Sequence, residues 1–277
     1  MNTRRAQPFS VSLQTMWSDL PFLERVVQAG KAGFDLVDLW DWRTVDIDAV
    51  ARISADYGMR INGFFGNRAH PICDPAGQAE VVEEIRRSID CAHRVGANQI
   101  AIFSNAIKDG IALPLPPLGE AALDAATVAA LCSVADEAQS AGVTLILEHL
   151  NAVYLPSYAW IGAARVTSLC REVNHPAVRM AFDCFHQQLS GGRLTDNLVA
   201  SLPYLARFDV AQVPGRHEPG HGEINFPHLL SILDRHGWQG PVTFEVIPHD
   251  GNPETALSAI SREFGWDRTK APSVTQI

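Results

Sequence analysis

The stretch AGVTLILEHLN, residues 141–151, contains the pattern from which the fold can be predicted. Gly142 follows a long helical pattern, and glycine readily adopts the left-handed conformation that ends a helix. The run Thr144–Glu148 then has the length and composition of a buried parallel strand. The stretch therefore predicts the end of a helix, a short strand, and an acidic residue, Glu148, at the point where the strand ends.

The same alternation of short apolar runs and longer helical patterns occurs eight times along the chain. The predicted strands are Phe9–Leu13, Leu36–Trp40, Arg60–Phe65, Gln99–Phe103, Thr144–Glu148, Arg179–Asp183, Arg207–Ala211 and Val242–Val246. Glycines that stop the preceding helix are expected at Gly33, Gly58, Gly96, Gly142 and Gly237. Eight strand–helix rounds favour an α/β fold of the (β/α)8 TIM-barrel type, as a single domain over residues 1–266 with a loosely ordered C-terminal tail at residues 267–277. A Rossmann-like sheet is the alternative, but no GxGxxG follows any predicted strand.

The composition is that of a globular protein, with 47% hydrophobic and 19% charged residues and a net charge of −9. Because a phosphate-binding surface needs a basic face, nucleic acid is not expected as a partner. No run approaches the roughly 20 apolar residues of a membrane span, and the N-terminus does not have the pattern of a signal peptide. The five cysteines show no CxxC spacing and are expected to be reduced and mostly buried, which favours a cytoplasmic location.

Acidic residues stand at the ends of four consecutive predicted strands, the fifth to the eighth. In an α/β barrel the catalytic groups lie where strands end and the following loops begin. Several buried carboxylates close together need a cation, and an all-oxygen set suits Mn²⁺ or Mg²⁺ more than zinc. A lone acid at such a position would more often be a helix cap or an ion-paired residue of the rim. The set of four predicts a metal site with the ligands Glu148, Asp183, Asp209 and Glu245.

The segment VAQVPGRHEPGHGEIN, residues 210–225, is a long polar loop between the seventh predicted strand and the next helix. An isolated loop of this composition is more often a solvated surface loop, but its place after a barrel strand predicts a wall of the substrate pocket. It offers Arg216 and His217 to a ligand. For Arg216, a grip on an oxyanion competes with a structural ion pair to Glu218 or Glu223.

Four motifs give the chain a resemblance to a known family. They are LILEHLN at residues 145–151, FDCFHQQLSGGRLT at 182–195, PGRHEPGHGEINF at 214–226 and GWQGPVTFEVIP at 237–248. They resemble the xylose-isomerase-like TIM barrels of the sugar isomerase/epimerase superfamily, most of all the hydroxypyruvate isomerase and 2-oxo-tetronate isomerase branch. Dimers and tetramers are common in that family, so a homo-oligomer is expected.

The resemblance also implies roles for individual residues. Glu148, Asp183 and Glu245 match three ligands of a divalent metal, and Glu148 and Glu245 match the pair of glutamates that exchange the proton. His186 and Arg216 match residues expected to contact substrate oxygens or a carboxylate. A histidine in an apolar setting is also often a satisfied core residue, and this remains the alternative for His186.

Asp209 departs from the pattern of this family, whose fourth ligand on the seventh strand is usually Gln or His. Four ionised carboxylates would leave a divalent ion over-neutralised by about two charges, so one acid would hold a proton or lie outside the set of ligands. Such a surplus of negative charge would also oppose an anionic substrate. It favours a neutral sugar or polyol ketone over hydroxypyruvate itself.

The expected activity is that of a metal-dependent aldose–ketose isomerase acting on a small hydroxycarbonyl or sugar substrate. Glu148 or Glu245 would remove the proton next to the carbonyl and give a cis-enediolate. Returning the proton to the neighbouring carbon isomerises, whereas returning it to the opposite face of the same carbon epimerises, so a ketose 3-epimerase stays open. A lyase, including a C-glycoside-cleaving enzyme, would use the same proton abstraction. Because Asp209 replaces the usual ligand, a sugar-binding barrel without activity also stays open. A DNA-repair endonuclease with this barrel would need a histidine-rich zinc site and a basic cleft, and the acid-rich site and the net charge of −9 speak against it.

Overall fold

The computed structural model describes residues 7–268. In this range the strands are β1 (Phe9–Ser12), β2 (Leu36–Asp38), β3 (Arg60–Phe65), β4 (Gln99–Ile102), β5 (Ile107–Lys108), β6 (Ile111–Ala112), β7 (Thr144–Glu148), β8 (Val178–Asp183), β9 (Leu205–Val210) and β10 (Val242–Phe244). The helices in the same range are α1 (Phe22–Ala32), α2 (Ile47–Asp56), α3 (Gln78–Val95), α4 (Glu120–Ser140), α5 (Ala163–Val173), α6 (Cys184–Leu189), α7 (Leu194–Ser201), α8 (Phe226–Arg235) and α9 (Pro253–Phe264).

Eight of the strands within residues 7–268 form a closed sheet, in the order β1-β10-β9-β8-β7-β4-β3-β2. Strand β1 pairs with β2 and β10, β9 with β10, β4 with β3 and β7, and β7 with β8, all in parallel, and helices separate successive barrel strands along the chain. These features confirm the predicted (β/α)8 TIM barrel. The two remaining strands, β5 and β6, pair with each other in an antiparallel hairpin that was not predicted.

The described residues divide into two compact units, which we call the terminal unit (residues 7–62 and 207–268) and the middle unit (Gly63–Ala206). In the terminal unit, the ring of Phe9 makes edge contacts with the rings of Phe244 and Phe264, at centroid distances of 5.6 and 6.3 Å. In the middle unit, every residue of β4 is buried, and in β7 only Thr144 is partly exposed. Apolar burial of this kind is the main stabilising contribution in each unit.

Glycine ends two of the long helices as the sequence predicts. Gly33 follows α1 with a φ of 89°, and its N–H donates to the carbonyl of Gly30 at 3.0 Å. Gly96 follows α3 with a φ of 72°. A side chain at either position would be strained in this left-handed conformation, so the glycines fix where these helices stop.

The remaining general predictions have separate outcomes. All five cysteines lie in the described range and are thiols, and four of them are buried, which confirms that prediction. Most of the predicted tail, residues 269–277, lies outside the described residues, while Arg268 forms an ion pair with Glu254 at 3.0 Å. In the part of the chain that the structure covers, no helix has both the length and the apolar composition needed to span a membrane.

Candidate functional site

Three side chains of the middle unit come together where β7 and β8 end. Glu148 is the last residue of β7, Asp183 is the last residue of β8, and His186 lies in α6. Each offers one ligand atom, and these atoms all lie within 4.8 Å of one another. The three residues are only 6%, 1% and 4% exposed, respectively. Two carboxylates this close and this buried repel each other, so the arrangement favours a bound cation or a shared proton.

Asp183 has two tasks, because it also begins α6. Its Oδ1 accepts a hydrogen bond from the backbone N–H of His186 at 2.9 Å, which caps the helix. Its Oδ2 lies 3.7 Å from Nε2 of His186. The helix cap therefore fixes the carboxylate of Asp183 against the backbone of His186.

Asn151 determines which nitrogen of His186 carries the proton. The Oδ1 of Asn151 accepts hydrogen bonds from the backbone N–H groups of Val153 and Tyr154, both at 3.0 Å, and this fixes the orientation of the amide. The Nδ2 of Asn151 therefore donates to Nδ1 of His186, at 2.6 Å. Because Nδ1 accepts, the neutral ring carries its proton on Nε2. His186 thus presents an N–H donor next to Asp183, which suits a substrate oxygen better than a metal ion.

The backbone around Glu148 and Asp183 is held by two buried side chains. The hydroxyl of Tyr158 donates to the carbonyl of Glu148 at 2.7 Å, and burial raises the pKa of Tyr158 well above its usual value, so this donor keeps its proton. The Nε2 of His149 accepts from the backbone N–H of Asp183 at 3.3 Å. Burial lowers the pKa of His149 to about 3, so its ring is neutral. Both residues position the site through the backbone.

In the terminal unit, Glu245 lies between a guanidinium and an indole. Its Oε2 is 2.6 Å from Nη2 of Arg216, and its Oε1 accepts from Nε1 of Trp40 at 2.8 Å. The Nε of Arg216 also donates to the carbonyl of Glu245 at 3.2 Å. Of the two roles considered for Arg216, an ion pair is present, and it is formed with Glu245.

The loop before α8 is held firmly at both ends. The side chain of Gln212 donates to the carbonyl of Ile224 and accepts from its N–H, both at 2.9 Å. The carbonyl of Arg216 accepts from the N–H of Ile247 at 2.8 Å, and Arg216 has a φ of 58°, which is uncommon for a residue with a side chain. The predicted substrate contact His217 places Nδ1 2.9 Å from the carbonyl of Ile247, so this nitrogen is the donor.

Asp209, the fourth predicted metal ligand, has a different partner. The Nε of Arg207 lies 2.8 and 3.0 Å from the two carboxylate oxygens of Asp209, and both residues are buried. Residues two apart on a strand point to the same face, so the pair lies side by side along β9. Arg207 also lies 3.7 Å from Asp38, whose pKa is raised by burial against the opposing effect of this guanidinium. The surplus negative charge expected from Asp209 is therefore compensated, and the argument against an anionic substrate no longer holds.

Comparison with known proteins shows the family. The sequence profile described as "Xylose isomerase-like TIM barrel" matches residues 23–265. The chain belongs to this family. A protein from Homo sapiens named "Putative hydroxypyruvate isomerase" is 29% identical over 97% of this chain and 98% of its own length. A "2-oxo-tetronate isomerase" from Cupriavidus necator is 26% identical over 88% of this chain and 94% of its own length.

Among solved structures, "AP endonuclease, family 2" from Brucella melitensis has a TM-score of 0.83 and 26% sequence identity, and the match covers 92% of this chain and 99% of that one. The barrel fold is thus shared along nearly the whole chain. Together with the named relatives, it confirms the predicted membership of the sugar isomerase/epimerase family and the expected isomerase class.

Several residues of the site were missed in the sequence, among them Tyr158, His149, Asn151 and Arg207. Asn151 is the last residue of the motif LILEHLN and lies three positions after Glu148. The acid and the amide that binds His186 therefore both come from the end of the same strand. Arg207 is a charged residue within an apolar strand run, at the same face as Asp209. A buried charge inside a strand requires a counter-charge, and this signal could have identified the pair.

Proposed function

We propose that this protein is a divalent-metal-dependent isomerase that moves a proton between adjacent carbons of a short hydroxycarbonyl compound. The observation that carries the proposal is the convergence of Glu148 and Asp183 with the N–H donor of His186. The relatives are named for hydroxypyruvate and a 2-oxo-tetronate, and we extend this class of short 2-oxo acids to this chain. The proposed substrate is a small molecule, and a homodimer or homotetramer remains the expected assembly.

The donor set supports Mn²⁺ or Mg²⁺ as the cofactor. Since Asn151 directs the proton of His186 to Nε2, the ligands that the middle unit offers are the carboxylate oxygens of Glu148 and Asp183. Hard divalent cations prefer oxygen ligands, whereas zinc takes nitrogen and sulfur as readily. When bound, the ion would polarise the substrate carbonyl and offset the charge of the two acids. Glu245 is kept as a third proposed ligand because it matches the family motif, and Asp209 is not kept.

Glu148 is the proposed base of the middle unit. Its carboxylate would take the proton from the hydroxyl-bearing carbon next to the substrate carbonyl and deliver it to the former carbonyl carbon, through a cis-enediolate. The hydroxyl proton would pass to the former carbonyl oxygen, which completes the isomerisation. The hydrogen bond from Tyr158 to the Glu148 carbonyl holds the end of β7 in place during this transfer. Glu245 is proposed as the second proton-transfer residue on the strength of its motif.

His186 would orient the substrate. Its Nε2–H can donate to a substrate hydroxyl or to the oxygen that gains negative charge. The one lone pair of the neutral ring, on Nδ1, accepts from Asn151, so the ring does not take the proton that Glu148 removes. Arg216 and His217 remain proposed substrate contacts of the terminal unit, where a guanidinium suits the carboxylate of a 2-oxo acid.

The test is a deuterium-exchange screen in D2O over hydroxypyruvate, tartronate semialdehyde, short ketoses and keto-glycosides, with and without Mn²⁺. We expect metal-dependent exchange at the carbon next to the carbonyl, together with formation of the isomer. Activity that survives exhaustive chelation would rule out the metal-dependent mechanism. The product distinguishes the remaining alternatives, because a 3-epimerase inverts one carbon, a lyase eliminates a substituent, and a binding protein exchanges nothing.

Variants locate the chemistry. Glu148→Gln is expected to abolish exchange, and Asp183→Asn to weaken Mn²⁺ binding. Glu137→Gln is the matched control, because Glu137 lies in the same unit on the surface of α4, paired with Arg86. Exchange at the wild-type rate in Glu148→Gln would show that Glu148 is not the base.

A further inference from the structure

A second group of possible metal ligands lies in the terminal unit and shares no residue with the proposed catalytic set. It consists of Glu218, His221 and His249, whose ligand atoms all lie within 4.8 Å of one another. Oε1 of Glu218 and Nε2 of His221 are 3.7 Å apart. The rings of His221 and His249 are stacked, with centroids 4.6 Å apart and planes inclined by 12°.

The carboxylate of Glu218 indicates that this group binds something. Glu218 is fully buried, and its Oε2 accepts from the backbone N–H of His249 at 3.0 Å. Its Oε1 is buried as well and has no hydrogen-bond partner among the described residues. A buried carboxylate oxygen without a partner is costly, so such an atom marks a place for a cation or another donor.

The stacked histidines supply donors of the right kind. An imidazole nitrogen offers the lone pair that a metal ion needs, and the stacked rings bring two such residues next to the buried carboxylate of Glu218. Both histidines are exposed on their outer side, so an ion can reach them from solvent.

We propose that Glu218, His221 and His249 form a binding site for a divalent transition-metal ion of the zinc type. Two imidazole nitrogens and one carboxylate oxygen are ligands that zinc commonly takes. An ion that prefers oxygen ligands, such as Mg²⁺, would be disfavoured. Glu218 and His221 belong to the loop before α8, and His249 belongs to the segment after β10. The ion would therefore fasten these two segments together, next to the hydrogen bond from His217 to the Ile247 carbonyl.

The experiment is a titration of the metal-free full-length protein with Zn²⁺, and with Co²⁺ as a spectroscopic probe. The variants are His221→Ala, His249→Ala and the double variant, because both side chains are exposed and their removal leaves the core intact. His236→Ala, an exposed histidine at the end of α8, is the matched control. We expect the double variant to lose about 100-fold or more in affinity at one site, together with the Co²⁺ spectrum that reports imidazole ligands.

The Glu148→Gln/Asp183→Asn double variant separates this site from the proposed catalytic one. It is expected to keep the Zn²⁺ site, with the histidine-dependent Co²⁺ spectrum unchanged. In this Glu148/Asp183 variant, Zn²⁺ should also raise the unfolding midpoint, and the rise should disappear when His221→Ala and His249→Ala are added but persist when His236→Ala is added instead. The proposal is overturned if the double histidine variant binds Zn²⁺ with the wild-type stoichiometry and affinity. It is also overturned if all Zn²⁺ binding disappears with Glu148 and Asp183.

Discussion

Arg207 grips both carboxylate oxygens of Asp209, two residues farther along the same strand, through Nε at 2.8 and 3.0 Å and through Nη2 at 2.9 Å. Because the side chains leave the same face of β9, neither charge is buried without the other. A neutral Gln or His in place of Asp209 would leave such an arginine without this counter-charge. Arg207 and Asp209 therefore neutralise each other's charge, and the buried Asp209 carboxylate does not need a metal ion as its counter-charge.

Asp209→Asn should therefore act on stability and leave metal binding unchanged. Removing one partner of a buried ion pair costs about 3–5 kcal/mol, and the lower end is expected because Arg207 still lies near Asp38. Denaturant unfolding measures this loss. Asp196→Asn, which breaks the exposed Arg193–Asp196 pair, is the control and should cost less than about 1 kcal/mol. A large loss of Mn²⁺ affinity in Asp209→Asn would instead restore Asp209 as a ligand.

Asn151→Asp should disturb the proton of His186. A carboxylate at this position would attract a proton to Nδ1, so Nε2 would no longer be the only protonated nitrogen of the ring. We expect kcat/KM to fall by about 10–100-fold, which is the usual effect of losing a residue that orients a side chain of the site. Nitrogen NMR of the imidazole measures the tautomer directly, and Asn197→Asp on α7 is the control. A wild-type ring protonated on Nδ1 would contradict the assignment.

Arg216→Lys and Arg216→Gly should separate the ion pair from the backbone strain. Lysine can meet the Glu245 carboxylate but cannot also donate to its carbonyl, so we expect reduced turnover and a stability loss of about 1 kcal/mol for this partly exposed pair. Glycine adopts a φ of 58° readily, so Arg216→Gly should be less destabilising than Arg216→Lys. Its turnover should fall at least as much, because the guanidinium is lost. Kinetics and unfolding curves of both variants provide the measurement. Unchanged turnover in both would remove Arg216 from the site.

His149 should make the folded protein sensitive to acid. Its pKa is about 3 when folded, so the unfolded chain, with an ordinary histidine pKa near 6.5, binds the extra proton between these values. Stability therefore falls as the pH drops from about 6.5 toward 3, by up to about 1.4 kcal/mol per pH unit from this group. His149→Gln should lose less stability between pH 6.5 and 4 than the wild-type protein does. His236→Gln, at an exposed position, should follow the wild-type curve, and equal slopes for all three would refute the prediction.

The barrel could be predicted from the sequence because each of its strands is a short buried run with a separate signal at its boundary. The predicted strand ends were less accurate. The second strand was predicted to reach Trp40, whereas β2 ends at Asp38 and the indole of Trp40 donates to Glu245. The hairpin of β5 and β6 was missed although Asp109 and Gly110, both with positive φ, are a typical turn pair. Helix α6 was missed because Asp183 was interpreted only as the end of a strand.

The site was less predictable, because local patterns do not identify partners that are far apart in sequence. Glu148, Asp183 and His186 share one small space, and their strand-end positions pointed to it. The contact between Trp40 and Glu245 joins residues 205 positions apart, and no local spacing indicates it. Asp209 shows the opposite difficulty, since a strand-end acid has the same sequence pattern whether its counter-charge is a metal or an arginine.

The amide of Gln212 pairs with the peptide of Ile224 much as a neighbouring strand would, and so it closes the neck of the loop before α8. Strand β9 and helix α8 are therefore held in place by the neck, independently of the sequence between them. The sequence of residues 213–223 can therefore change during evolution without loss of the barrel fold. Chimeras that carry this segment from a relative are expected to fold, and substrate preference can be transferred with the loop.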